Sequence, residues 1–191
     1  MLLKKTTNHS APGPTSHTWA ILKWAWEADA DCITNLLVAC PHAGHHPSQW
    51  KEATVCVIPK PKQADYMMAK NYCPISLLKC MGKLLKNVAV HLIYSDLTNF
   101  LLVPTNQYGR WVSSSTLDAG IALLHDIQSA QKASLKAGLL LFDIQGFFDN
   151  INCSQLVQII KNLGFVLEIV AWCKSFLQNR MVRLHFNGRT S

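Results

Sequence analysis

Residues 139–149 read LLLFDIQGFFD: four large apolar side chains run straight into Asp143, and a glycine, two phenylalanines and a second aspartate, Asp149, follow. A continuous apolar run is the mark of a strand buried on both faces. A carboxylate is costly inside such a strand and tolerated at its end, where a cation neutralises it. Mg²⁺ is the hard cation commonly held by one or two carboxylates together with substrate phosphates. The stretch therefore predicts a strand over residues 139–143. It leaves two readings of Asp143: a ligand in a phosphate-handling metal site, or a turn or helix-capping residue. Asp149, six residues on, leaves two readings as well: a share in that site, or a turn or cap aspartate. Phosphatase chemistry of the haloacid type needs a second acid two residues after the first, and Gln145 stands there instead.

Moving toward the C-terminus, Asn152 is placed to cap a helix whose Cys153, Leu156, Val157, Ile160 and Leu163 share a face, closed by Gly164. Another helix is predicted to run to about Leu177. Residues 181–186 then alternate, and Asn187-Gly188 is a hairpin-turn pair. Toward the N-terminus, Ser115-Thr116-Leu117-Asp118 has the form of a helix-capping box. Leu117, Ile121, Leu124 and Ile127 continue it as a helical stripe, broken at Ala137-Gly138. Residues 75–99 give the longest helical pattern, with Leu78, Met81, Leu85, Val88 and Leu92 on one face. Residues 60–71 form a basic loop, and residues 53–58 a short strand ending at Pro59. Residues 18–40 repeat apolar side chains at helical spacing, and residues 1–17 are a polar tail. Helices and strands in this mixed order predict an α+β fold.

The chain has 191 residues, 49% of them hydrophobic and 15% charged, which suits one core-forming domain and excludes compositional disorder. Its formal net charge of +7 points toward an acidic partner. Seven cysteines, an odd number with no Cys-x-x-Cys pair, predict a reduced intracellular protein, nuclear or cytoplasmic. No stretch approaches the roughly 18 apolar residues of a membrane span. Residues 40–46, CPHAGHH, lack the paired spacing of a structural zinc site and read as a polar loop rich in histidine. Trp19, Trp24 and Trp26 sit at helical spacing, as core side chains or as base-stacking platforms.

Five stretches in order resemble the reverse transcriptases of non-long-terminal-repeat retrotransposons, in a form like that common in fungal genomes. They are His46-Pro47-Ser48-Gln49-Trp50-Lys51-Glu52-Ala53 with Val57-Ile58-Pro59-Lys60-Pro61-Lys62, and Asn71-Tyr72-Cys73-Pro74-Ile75-Ser76-Leu77-Leu78. Next come Asn106-Gln107-Tyr108-Gly109-Arg110 with Ser115-Thr116-Leu117-Asp118-Ala119, and Phe142 to Ile151, similar to polymerase motif A. The fifth is Leu163-Gly164-Phe165 with Trp172, Ser175-Phe176-Leu177, Arg180 and Phe186-Asn187-Gly188. Each alone is weak; the ordered set is specific.

The resemblance implies a partial right-hand polymerase: fingers over about residues 18–135, the start of the palm over about residues 136–191. It implies RNA-directed DNA synthesis on an RNA template and DNA primer from deoxynucleoside triphosphates, with no membrane. It makes Asp143 the first metal-binding aspartate of a two-Mg²⁺ site, and the carbonyl of Ile144 a ligand on the nucleotide side. It makes Phe148 a ring that excludes a ribose 2′-hydroxyl, Lys60 a triphosphate contact, and Gln107 and Arg110 neighbours of template or primer.

Three departures matter. Cys73 replaces the arginine that would grip the triphosphate with its planar fork, a loss of about 2–4 kcal/mol of transition-state stabilisation. Lys62 replaces a glycine usual after Pro-Lys-Pro, and Cys153 stands where histidine is frequent. The sequence contains no Asp-Asp pair, so the expectation is a domain truncated before the hairpin that completes the metal site, and a chain inactive by itself.

Overall fold

The computed structural model describes residues 3, 6–8, 11, 13–14, 17–144, 146–147 and 150–186, and the backbone of 189–190. They fall into two compact units. The first is Met1–Asp96 with Asn152–Ser191, and the second is Leu97–Ile151.

In the first unit, helices α1 (Trp19–Ala28) and α2 (Ala30–His42) replace the single helical pattern expected over residues 18–40. The break is Asp29. Its carboxylate accepts the Cys32 amide at 2.9 Å and starts α2, because a short acidic side chain competes for main-chain donors and favours a cap. Strand β1 (Glu52–Pro59) follows, then β2 (Tyr72–Leu78). The two are antiparallel, with Cys56 opposite Ile75 and Ile58 opposite Cys73.

Strand β2 corrects the expectation that helix begins at residue 75. A short apolar run such as Ile75-Ser76-Leu77-Leu78 suits strand or helix equally until a neighbour decides, and here β1 offers a ladder. Pro74, which has no amide to donate, is tolerated because β2 lies at the sheet edge. Helix α3 (Cys80–Asn99) starts only after that strand.

After the second unit the chain returns with α5 (Cys153–Asn162), α6 (Leu167–Leu177), β3 (Met181–Phe186) and β4 (Arg189–Thr190). Asn152 caps α5 as expected, its side chain accepting the Ser154 and Gln155 amides at 3.0 and 3.1 Å. Gly164 follows α5 at φ +85°. Strand β3 pairs parallel with β1, Glu52 opposite Met181, and the sheet order is β2-β1-β3-β4. The predicted turn pair Asn187-Gly188 lies outside the described residues.

The core is helical. Trp19, Leu22, Leu37, Cys40, Leu84, Leu85, Ile169 and Trp172 are buried on α1, α2, α3 and α6. Trp19 fills a core position, whereas Trp24 is 67% exposed. The loop after α2 packs on α6. Gly44, at φ +62°, lies so close that a side chain there would meet the Ala171 methyl, and the His46 amide donates to the Ser175 hydroxyl at 3.0 Å. That loop carries His46 inside, 1% exposed, edge-on to Trp50, Trp172 and Phe176 at ring separations of 6.3, 5.6 and 5.1 Å. The polar loop read from residues 40–46 is thus partly core. Burial, reinforced by the positive charges of Arg180 and Lys51, lowers the His46 pKa to about 4 against a weaker upward pull from the Trp50 main chain.

In the second unit, α4 (Thr116–Lys132) begins with the expected capping box. The Asp118 amide donates to the Ser115 hydroxyl at 3.2 Å, and the Asp118 carboxylate accepts the Ser115 amide at 2.7 Å. Ser115→Ala should cost about 1 kcal/mol. Amide hydrogen exchange in the first turn of α4 should quicken about fivefold, and unchanged exchange would show that the box contributes nothing.

The strand expected over residues 139–143 is absent. The backbone there is irregular, with Leu141 80% and Phe142 86% exposed. A strand exists only where a neighbour accepts and donates its main-chain hydrogen bonds, and the sheet recruits none of these residues.

Candidate functional site

Lys60 directly follows β1, and the loop it opens carries three lysines, at 60, 62 and 70, against one aspartate, Asp65. Residues 60–70 are all exposed. The loop is nevertheless tied together at its base. The Lys60 amide donates to the Asn71 carbonyl at 2.9 Å, and the Lys60 ammonium donates to the Lys70 carbonyl at 2.7 Å. The Tyr66 hydroxyl donates to the Lys60 carbonyl at 2.9 Å, and the Tyr72 hydroxyl to the Tyr66 carbonyl at 2.9 Å. The half-buried Tyr72 ring in turn lies edge-on to Phe186 of β3 at 5.7 Å. An ammonium has three donors, so Lys60 is positioned by one bond and keeps two for an anion. The aromatic and asparagine ties were not foreseen; their signal was Tyr66, Asn71 and Tyr72 clustered at the far end of a lysine loop.

Lys62 sits at φ +60°, the left-handed region that glycine adopts without penalty. The lysine therefore occupies a glycine-type conformation at the position where the resembling sequences carry glycine. Lys62→Gly is expected to stabilise the first unit by about 1 kcal/mol, read as a raised urea midpoint; a lowered midpoint would show that the lysine side chain makes a compensating contact.

Cys73 is exposed on the edge strand β2, opposite Ile58. The other end of β1 is fixed by charge. The Glu52 carboxylate pairs with Lys79 at 2.9 Å and Arg183 at 2.7 Å, joining β1 to the start of α3 and to β3. The hydrogen bond from Lys79 is the main reason its carboxyl is held below the usual range.

The remaining candidates lie in the second unit. The Gln107 side chain donates to the Gly109 carbonyl at 3.1 Å, and its amide to the Pro104 carbonyl at 3.0 Å, so it shapes its own turn. Arg110 follows at φ +58°. Asp143 is exposed, and Ile144 is 65% exposed. Asn150 closes the following turn on the Gly146 carbonyl through its amide and its side chain, at 3.1 and 2.9 Å. Phe148 and Asp149 lie outside the described residues. Among the described residues no three His, Cys, Asp or Glu side chains converge as metal ligands. One solvated carboxylate cannot hold a pair of divalent ions, so the described residues do not fit a two-Mg²⁺ site.

Residues 58–191 match the reverse transcriptase (RNA-dependent DNA polymerase) family. The chain belongs to that family. The match begins at the end of β1 and takes in the lysine loop, β2, the capped α4 and the Asp143 stretch. Similar proteins include the "Probable RNA-directed DNA polymerase from transposon BS" of Drosophila melanogaster, 29% identical over 72% of this chain and 15% of its own length. The "Probable RNA-directed DNA polymerase from transposon X-element" of the same organism is 25% identical over 100% of this chain and 21% of its own length. The "Retrovirus-related Pol polyprotein from type-1 retrotransposable element R1" of Bradysia coprophila is 25% identical over 74% and 14%. These relatives support the non-long-terminal-repeat resemblance and add nothing to its fungal form. The chain spans between 14% and 21% of their length.

Proposed function

We propose that this reverse transcriptase segment supplies fingers contacts of a right-hand RNA-directed DNA polymerase and does not polymerise by itself. The carrying observation is the contrast between its two groups of candidates. The lysine loop after β1 is ordered and presents Lys60, Lys62 and Lys70 to solvent, while Asp143 stands on an irregular, exposed run. The first arrangement can grip phosphates; the second belongs to no cluster of three potential metal ligands among the described residues.

In this reading the Lys60 ammonium steadies a nucleoside triphosphate and the other lysines hold the template or primer backbone. Asp143 and the Ile144 carbonyl are assigned to metal binding, Phe148 to sugar selection, and Gln107 and Arg110 to the template–primer duplex, by the family pattern. Mg²⁺ would supply Lewis-acid chemistry once a full carboxylate set surrounds it. Cys73 in place of arginine weakens the triphosphate grip.

The test is binding and extension on one sample, the 191-residue chain with an RNA template annealed to a DNA primer. Salt-sensitive binding that weakens about tenfold in the Lys60→Ala, Lys62→Ala, Lys70→Ala triple variant, without primer extension, is the expected result. Extension of the primer would overturn the inactivity. A folded chain with no salt-sensitive binding would favour a non-catalytic remnant with no nucleic-acid role.

A further inference from the structure

Two cations stand side by side where the parallel strands begin. Lys51 and Arg180 are the residues immediately before Glu52 and Met181, the first matched pair of β1 and β3. Neighbouring strands lie about 4.8 Å apart, and like charges placed across that gap repel. Lys51 is nevertheless only 8% exposed, and its amide is held by the Ser48 carbonyl at 3.1 Å. Arg180 is half-buried and tethered. One of its N–H groups donates to the Phe176 carbonyl at 3.0 Å, and the guanidinium lies 4.6 Å from the centre of the Phe176 ring. After burial itself, the charges of Arg180 and then Lys51 do most to keep His46 neutral, so both stand within electrostatic reach of one ring. The acid next in sequence, Glu52, pairs instead with Lys79 and Arg183. Among the described residues neither Lys51 nor Arg180 has a carboxylate partner.

A covered lysine beside a guanidinium is costly unless a negative charge offsets both. Arg180 spends one of a guanidinium's five donors on Phe176, and the Lys51 ammonium spends none of its three on the described residues. The remaining donors can meet an anion on the solvent side of Arg180. A carboxylate offers two oxygens, which the guanidinium fork would occupy alone. A phosphate group has a further oxygen for the compact charge of the ammonium. We propose that Lys51 and Arg180 form a phosphate-binding site at the paired N-terminal ends of β1 and β3. The site is separate from the lysine loop, which lies at the other end of β1. It takes a phosphate group, either in the backbone of a nucleic acid or free, as in a nucleotide or inorganic phosphate.

The experiment follows the urea midpoint of the full-length chain at pH 7.5 as inorganic phosphate replaces chloride at constant ionic strength. Lys51→Met keeps an unbranched apolar stem and removes the ammonium. Arg180→Gln removes the guanidinium, so the test does not depend on one variant folding. Phosphate should raise the midpoint of the wild-type chain, and equally that of the Lys60→Ala, Lys62→Ala, Lys70→Ala triple variant. Each of the two site variants should need about tenfold more phosphate for the same rise. A second arm measures binding of a short labelled single-stranded RNA by fluorescence anisotropy. RNA binding that weakens in Lys51→Met along with the phosphate response assigns the site to backbone phosphate. RNA binding that is unchanged, or absent from every chain, while the phosphate response is lost assigns it to a free phosphate group; the absent case would count against the nucleic-acid reading of the lysine loop alone. Equal midpoint rises in wild type and both site variants would be the general stabilisation that phosphate gives by exclusion from protein surfaces, and would overturn the proposal. So would a response lost in the lysine-loop variant and kept in Lys51→Met, which would leave the proposed function standing. Unfolding of both site variants in the absence of phosphate would mark the pair as part of the core, and would overturn the proposal as well.

Discussion

Acidification from pH 6.5 to about 4 is expected to cost the first unit about 3 kcal/mol of folding stability through His46 alone, and His46→Leu should abolish that loss. In the folded protein the ring is 1% exposed and stays neutral until about pH 4. In the unfolded chain it takes up its proton near 6.5. The unfolded state therefore binds more protons across this window, and stability declines as pH falls through it. Above pH 6.5 the contribution is complete. Glu52 and Asp118 act elsewhere. Their carboxyls are held below the usual 4.5 and 3.8, so their stability is present above those values and is lost only at lower pH.

Neither His46 ring nitrogen makes a hydrogen bond of full geometry, the Trp50 main chain exerting only a weak pull on the ring. Leucine is close in volume and brings no polar atom, so the variant should be no less stable than wild type at pH 7.5. Urea midpoints measured at half-unit steps from pH 7.5 to 4 decide the matter. A variant that keeps the wild-type slope between 6.5 and 4 would assign the acid sensitivity to another group.

Trp172→Ala should be the most damaging single change on α6, lowering stability by about 3–5 kcal/mol. Trp172 is 3% exposed, stacks on Phe176 at 5.2 Å with an interplanar angle of 17°, and forms one wall around His46. Phe176 also carries the Arg180 guanidinium 4.6 Å from its ring centre, so the loss spreads along the C-terminal half of the helix. The cavity would admit water to His46. The acid transition should accordingly shrink, as the imidazole pKa climbs back toward 6.5. Combined with His46→Leu, the two effects should be non-additive, because the side chains touch. A midpoint unchanged within error would show that the aromatic cluster does not support the fold.

Much of the fold was legible because it is written locally. Ser115 and Asn152 declare their helices by capping chemistry, Gly164 closes one, and the alternation at 181–186 declares a strand. What escaped depends on neighbours. Strand β2 was read as the start of a helix because Ile75 to Leu78 suits either state until β1 provides a ladder. The Asp29 break was hidden inside an apolar pattern that continues through it. His46 was read as part of a polar loop, since nothing within residues 40–46 reveals the aromatic side chains of α6 that enclose it. The opposite error occurred at residues 139–143, whose composition is that of a buried strand but which have no strand beside them. Of the candidate site, Lys60 and its loop were legible as a motif. The geometry expected around Asp143 was not, because a metal site is a meeting of distant segments.

The parallel pairing of β1 with β3 also sets the order of events when the protein is made. Residues 52–56 must wait for residues 181–185 before their ladder is complete on that side, so the growing chain carries an open sheet edge until those residues emerge. Contacts this distant in sequence slow folding and lengthen the exposure of apolar surface. The hairpin of β1 and β2 can form early, but Glu52 gains its second cation, Arg183, only when β3 arrives. A nascent chain caught between those two moments is the form on which a chaperone, or a neighbouring unfinished chain, would act.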